Sequence, residues 1–115
     1  MVDESNEENC AEFSIPHLAQ RAAEAGLHSL DPWWEMETDV QAARHKGIAE
    51  RYPDRKLIPF SRRQDNDDVA CWDLSLGGVT VVHDFAESGS ELIAHFSCYE
   101  DWLRQVLEDF IHFDE

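Results

Sequence analysis

Six histidines (His17, His28, His45, His83, His95 and His112) and three cysteines (Cys10, Cys71 and Cys98) are the side chains best suited to hold a metal or attack a substrate. Zinc ligation from one element needs close spacing, such as His-x-x-x-His on a helix or paired cysteines. No two of these nine residues stand in that relation. His83 and His95 could meet only across neighbouring strands. Cys98, at the start of a helix, occupies a place where a thiolate gains stability from the helix N-terminus. A small metal- or thiol-dependent enzyme built on His83, His95 and Cys98 is therefore the weakest of the functional readings.

Asp65-Asn66-Asp67-Asp68 has the acid density of a calcium loop but not its order. An EF-hand alternates oxygen ligands, turns on a glycine and closes on a distal Glu. Here Val69 and Ala70 stand where a ligand and the glycine belong. The segment reads as a solvated turn paired with Arg62 and Arg63, or as a protein-contact loop. Pro53-Asp54 could open a magnesium nuclease motif, but no lysine follows Lys56 to complete it. No Gly-x-Ser-x-Gly elbow exists. Gly77-Gly78 is followed by a strand pattern, not a helix, so it reads as a hairpin turn and not a phosphate loop. No cofactor, no metal and no enzymatic activity are expected.

Nine Lys and Arg against 25 Asp and Glu leave a formal net charge of −16 over 115 residues. Such a surface repels phosphate backbones and anionic membranes, which excludes direct nucleic-acid binding and membrane-surface binding as leading functions. No segment approaches the ~20 apolar residues of a membrane span. The first twelve residues carry five acids and no base, unlike a secretory signal. They read as a flexible acidic arm, with a single domain over residues 13–115. Three widely spaced cysteines do not form a disulfide framework, which with the other signals points to the cytoplasm. A monomer is the expected state.

The periodicities supply the elements. Apolar residues from Ile15 follow helical spacing, with Pro16 at the first helical position and Gly26 as the stop. Residues 27–34 are aromatic and irregular. Thr38 and Gln41 could form a capping box for a second helix that Pro53 ends. The pattern then alternates: Lys56–Ser61, where Pro59 suggests an edge strand; Val69–Leu74; Val79–Phe85; and a short strand at Leu92–His95. Ser97 and Glu100 could cap a last helix. Its stripe of Tyr99, Trp102, Leu103, Val106, Leu107, Phe110 and Ile111 must cover an apolar surface. The expected fold is α+β: a central antiparallel sheet of three to five strands flanked by helices, in the order α-α-β-β-β-(β)-α.

The stretch Tyr52–Leu74, with Leu57-Ile58-Pro59-Phe60, a polar loop and then Asp68-Val69-Ala70-Cys71-Trp72-Asp73-Leu74, resembles the SUKH superfamily of Smi/Knr-like proteins. The likeness continues through Gly78–Phe85, with its His83-Asp84, into the aromatic-rich final helix, and covers about residues 27–111. Where that family often has a glycine before the Asp that opens the central strand, this chain has Asp67. The resemblance implies helices around an antiparallel sheet and a non-enzymatic role. Bacterial members are immunity proteins that neutralise toxins, often nucleases or nucleic-acid deaminases, of polymorphic or contact-dependent systems. Eukaryotic relatives look like scaffolds.

Charge points the same way, because a nuclease must be basic to hold its substrate, and a strongly acidic inhibitor is drawn to it through space. The expected function is therefore an immunity protein that binds a basic protein toxin. A general protein-interaction or scaffold module is the alternative. Affinity requires a desolvated aromatic anchor inside the acidic rim. The candidate partner-binding residues are Asp31, Trp33, Trp34, Asp65, Asp67 and Asp68, although either tryptophan could instead form a corner of the core.

Overall fold

Alternation along the strands builds a sheet buried on both faces. The computed structural model describes residues 15–26 and 29–113. The acidic segment 1–12, with Cys10, and His28 lie outside the described residues. The order is α1 (His17–Glu24), β1 (Ser29–Leu30), β2 (Trp33–Glu35), α2 (Thr38–Arg51), β3 (Leu57–Arg63), β4 (Asp68–Asp73), β5 (Val79–His83), β6 (Leu92–Phe96) and α3 (Tyr99–His112). The strands pair in sequence order, all antiparallel. The α+β class and the flanking helices are as the sequence implies. The aromatic segment read as irregular adds two short strands between the first two helices. No helix of the described residues is long and apolar enough to cross a membrane.

One face carries Ala70, Trp72, Val79 and Val81, which pack with Trp33, Trp102 and Val106. The other carries Val69, Cys71 and Val82, closed by Ile48 and Tyr52 of the α2 segment together with Met36 and Leu57. This division follows from the period of two: neighbours along β4 and β5 point to opposite faces. Four rings converge on the first face. Phe60 stacks on Trp72 at 4.1 Å and 19°, and meets Trp102 edge-on at 4.9 Å and 79°. Tyr99 tilts against Trp72 and Trp102 at 5.5 and 5.6 Å. The β3–β4 register skips Phe60, pairing Pro59 with Cys71 and Ser61 with Ala70.

That irregularity also resolves Pro59. β3 is an interior strand, but β2 pairs only with Ser61–Arg63. Pro59 thus lies beyond the reach of β2 and next to a bulge, two of the settings a sheet allows proline. Its carbonyl accepts from Gln41 Nε2 at 2.7 Å. Gln41 is therefore spent on β3 rather than on a capping box. α2 is capped at Glu37, with Thr38 already helical, and no side-chain capping bond forms. The Ser97–Glu100 box is likewise not made, because the cap of α3 is Cys98. Pro16 is the cap of α1, one position before the first helical residue.

The stripe on α3 is only half covered. Trp102 and Val106 are buried, whereas Leu107, Phe110 and Ile111 are exposed. The covered line runs through Trp102, Val106 and Asp109, which still reaches Trp33 and Arg63, and Leu107, Phe110 and Ile111 lie beside that line. The β4–β5 turn at residues 74–78 runs as the glycine pair suggested, with φ of +80° at Gly77 and +70° at Gly78. A Cβ at Gly78 would overlap the carbonyl oxygen of Phe96. Asp73 completes the turn, its Oδ1 accepting from the amides of Ser75 and Leu76 at 2.9 Å each.

Candidate functional site

Three loops meet at one end of the sheet. The Gln64 amide donates to the Pro32 carbonyl at 2.8 Å, joining the β1–β2 turn to the β3–β4 loop. The Asp84 amide donates to the Asp67 carbonyl at 3.0 Å, joining that loop to the β5–β6 connection. Antiparallel pairing forces this: every second connection returns to the same end. Asp31, Asp65, Asp67 and Asp68, more than 30 residues apart at the extremes, are thereby gathered together.

Their individual settings differ. Asp31 Oδ1 accepts from Trp34 Nε1 at 2.6 Å, and the Trp34 ring is 40% exposed. Asp65 takes two bonds from Arg63, at 2.9 and 3.0 Å, so the loop is paired locally as expected. Asn66 Oδ1 accepts from the Asp68 amide at 2.8 Å, an Asx turn that shapes the loop. Asp68 pairs with His83 Nδ1 at 2.8 Å. Asp67 is exposed. Trp33 is the exception among the candidates. At 5% exposure it belongs to the core, with Nε1 donating to Asp109 at 2.8 Å and its ring edge-on to Trp102 at 5.8 Å. A partner cannot reach it, because β2 turns alternate side chains to opposite sides and Trp33 faces α3. Arg63 lies over the Trp33 ring at 5.6 Å and reaches Asp109 at 3.6 Å, tying loop, core and α3 together.

The β5–β6 connection holds residues that sequence reasoning missed. Asp84 is completely buried, and two arginines of α2 converge on it: Arg44 Nη1 on Oδ2 at 2.6 Å, Arg51 Nη2 on Oδ1 at 2.6 Å. Arg44 and Arg51 are seven residues apart, hence on one face of the helix. Gly47 lies between them, and a Cβ there would meet the Arg51 guanidinium at 2.8 Å. That Arg-x-x-Gly-x-x-x-Arg spacing is a signal readable in the sequence. Nearby, Tyr52 Oη donates to the Ala86 carbonyl at 2.6 Å, Arg55 Nε donates to Glu91 at 2.6 Å, and Glu91 also accepts from the Gly89 amide at 2.7 Å.

This clamp presents Phe85. Its φ is +72°, a left-handed conformation that costs a residue bearing a Cβ about 1–2 kcal/mol. Its ring is 61% exposed, with the guanidinium carbons of Arg51 and Arg44 at 4.2 and 5.4 Å from the centroid. β5 ends at His83, two residues before the expected limit, because the backbone turns here.

The arrangement offers little for nucleophilic or metal chemistry. His83 is bound to Asp68 at the loop end. His95 Nδ1 lies 2.8 Å from Thr80 Oγ1, whose hydroxyl donates to Asp73 at 2.6 Å. Thr80 and His83 are three residues apart on β5, so the two histidines do not meet. Among the described residues no group of three or more His, Cys, Asp or Glu is placed to hold a metal ion. Burial, reinforced by Asp84, pushes the Cys71 thiol far above its usual range. Cys98 makes no side-chain capping bond at α3. A cleft of about 300 Å³ lies between Ala19, Ala22 and Ala23 of α1 and the rings of Phe60, Trp72, Tyr99 and Trp102.

Two carboxylates here couple charge to stability. Hydrogen bonding from Arg55 holds Glu91 below the usual carboxylate range, and hydrogen bonding from Arg63 does the same for Asp65. A depressed folded-state pKa contributes stability that is present above the unfolded value, about 4. That stability is lost as pH falls through the folded values. The urea midpoint is expected to drop between about pH 4.5 and pH 2.5, and E91Q is expected to flatten that slope more than D65N, since Asp65 is the more exposed partner. Equal slopes for wild type and both variants would show that neither pairing supports the fold.

Comparison with protein-family models, with curated proteins and with solved structures finds no match.

Proposed function

We propose that this chain is a non-enzymatic protein-binding domain of the immunity type, which neutralises a basic protein toxin of nuclease or deaminase-like chemistry in the cytoplasm. The observation that supports it best is the gathering of Asp31, Asp65, Asp67 and Asp68 at one end of the sheet, beside the exposed Trp34, on a chain of net charge −16. Acidic side chains there accelerate encounter with a basic surface, and an aromatic among them supplies contact area. The resemblance to Smi/Knr-like proteins is consistent with this reading.

The test is titration calorimetry of the full chain against the purified product of each adjacent gene. One basic product is expected to bind one-to-one, with affinity falling at least tenfold between 50 and 300 mM salt, and D67N is expected to slow association more than dissociation. Binding to none of these products would remove the immunity reading. Salt-indifferent binding to a neutral product would favour a general interaction module.

A further inference from the structure

We infer that Phe85, held out by the Asp84–Arg44–Arg51 clamp, is the apolar anchor through which the chain grips its partner. The partner fitted to it is a basic protein that presents an apolar pocket to the ring. The inference rests on the proposed function for the partner's charge, and adds the contact that gives affinity.

Four observations converge. First, an aromatic ring that could have been buried is left exposed on a backbone conformation that disfavours it. Strain of this kind persists only where the surroundings over-determine it, and it concentrates at binding and catalytic positions. Secondly, the surroundings do over-determine it. The Phe85 amide donates to Asp84 Oδ1 at 2.9 Å, and Tyr52 pins the following carbonyl of Ala86 at 2.6 Å. The ring is therefore preorganised, which lowers the ordering cost of association. Thirdly, a dish of about 410 Å³ adjoins the ring, walled by Val40, Ala43, Arg44 and Arg51 of α2. A partner side chain can enter the dish while Phe85 enters the partner. Fourthly, the charge is right. Arg44 and Arg51 share the buried carboxylate of Asp84, and Asp39 also lines the dish. The chain as a whole carries a net charge of −16, which draws a basic partner to it.

Hot spots have this form: a desolvated aromatic centre within a ring of polar groups that exclude water. The acidic loops set the rate of encounter and Phe85 sets the rate of escape. The substitution that separates these roles is F85N, since asparagine accepts the left-handed conformation more readily than phenylalanine and so leaves the turn intact.

The experiment uses the full chain and the basic adjacent-gene product as probe. With F85N, affinity is expected to fall at least 30-fold, through faster dissociation and with the salt dependence unchanged, while the thermal midpoint stays at or above that of wild type. A photoreactive benzoylphenylalanine in place of Phe85 is expected to cross-link to the probe. The same group in place of Leu76, 68% exposed in the turn at the opposite end of the sheet, is expected not to. If wild type binds and D67N slows association, but F85N weakens binding less than threefold, the anchor is wrong and the proposed function stands. Cross-linking from position 76 and not 85 also overturns it. If wild type binds no basic product, the proposed function falls and the anchor with it.

Discussion

W102A is expected to destabilise the fold by about 3–5 kcal/mol, the range for removing a large buried ring from a packed core. Trp102 is 5% exposed and touches Trp33, Phe60 and Tyr99 at centroid distances of 5.8, 4.9 and 5.6 Å. It is the ring through which α3 grips the sheet, and it also backs Trp33 of β2, so its loss loosens two attachments at once. Neighbouring rings cannot collapse into the gap, because Phe60 is held by its stack on Trp72 and Trp33 by its bond to Asp109. For a domain of this size the thermal midpoint should fall by about 15 °C or more. I111A on the same helix, at an exposed position, should change stability by no more than about 0.5 kcal/mol. A W102A midpoint within a few degrees of wild type would mean that α3 does not depend on this cluster.

D84N is expected to cost about 2–4 kcal/mol, somewhat less than breaking a fully buried ion pair because the two arginines keep some contact with water. Arg44 and Arg51 are 21% and 31% exposed, whereas Asp84 is wholly buried. The amide keeps the shape but removes the charge that holds two guanidiniums within reach of each other, and an amide nitrogen cannot accept from either. The consequence extends past stability. Arg51 should leave the Phe85 ring, and the turn at residue 85 should lose its support. Urea unfolding measures the first effect. The comparison is E100Q in the exposed Arg104–Glu100 pair, expected to shift stability by less than about 0.5 kcal/mol. If the two substitutions cost the same, Asp84 is not the hub of the α2–β5 attachment.

The positions that were legible in advance share one property: their signal is local. Helical spacing marked α1, α2 and α3. Alternation marked β4 and β5 to within two residues at each end, and Gly77-Gly78 marked the turn between them. The capping boxes failed for a tertiary reason, since Gln41 had a better acceptor in the Pro59 carbonyl than in its own helix. β1 and β2 were not legible at all. At two and three residues they are too short to show a period, and they exist because Trp33 and Trp34 lie against Arg62 and Arg63 across the sheet. The α3 stripe overstated what is covered, because periodicity reports a broad apolar face, whereas the sheet covers only the line through Trp102, Val106 and Asp109 and leaves Leu107, Phe110 and Ile111 outside it.

The candidate site divides in the same way. Net charge, the acidity of residues 65–68 and the pair Trp33-Trp34 are properties of composition, and they are the same in any conformation. Which tryptophan is exposed, and which acids share one end of the sheet, depend on strand direction and register. The Asp84 clamp depends on contacts between residues 33 and 40 positions apart in the chain. No spacing rule spans that distance, since a buried carboxylate and its counter-charges are brought together only by the packing of α2 on the sheet. The amino-acid sequence alone thus determined the three helices, the four longer strands and the sign of the surface, because these follow from neighbours within a few residues. Only the tertiary structure decided that Phe85 is held outward and Trp33 inward, because burial is set by what lies across the sheet.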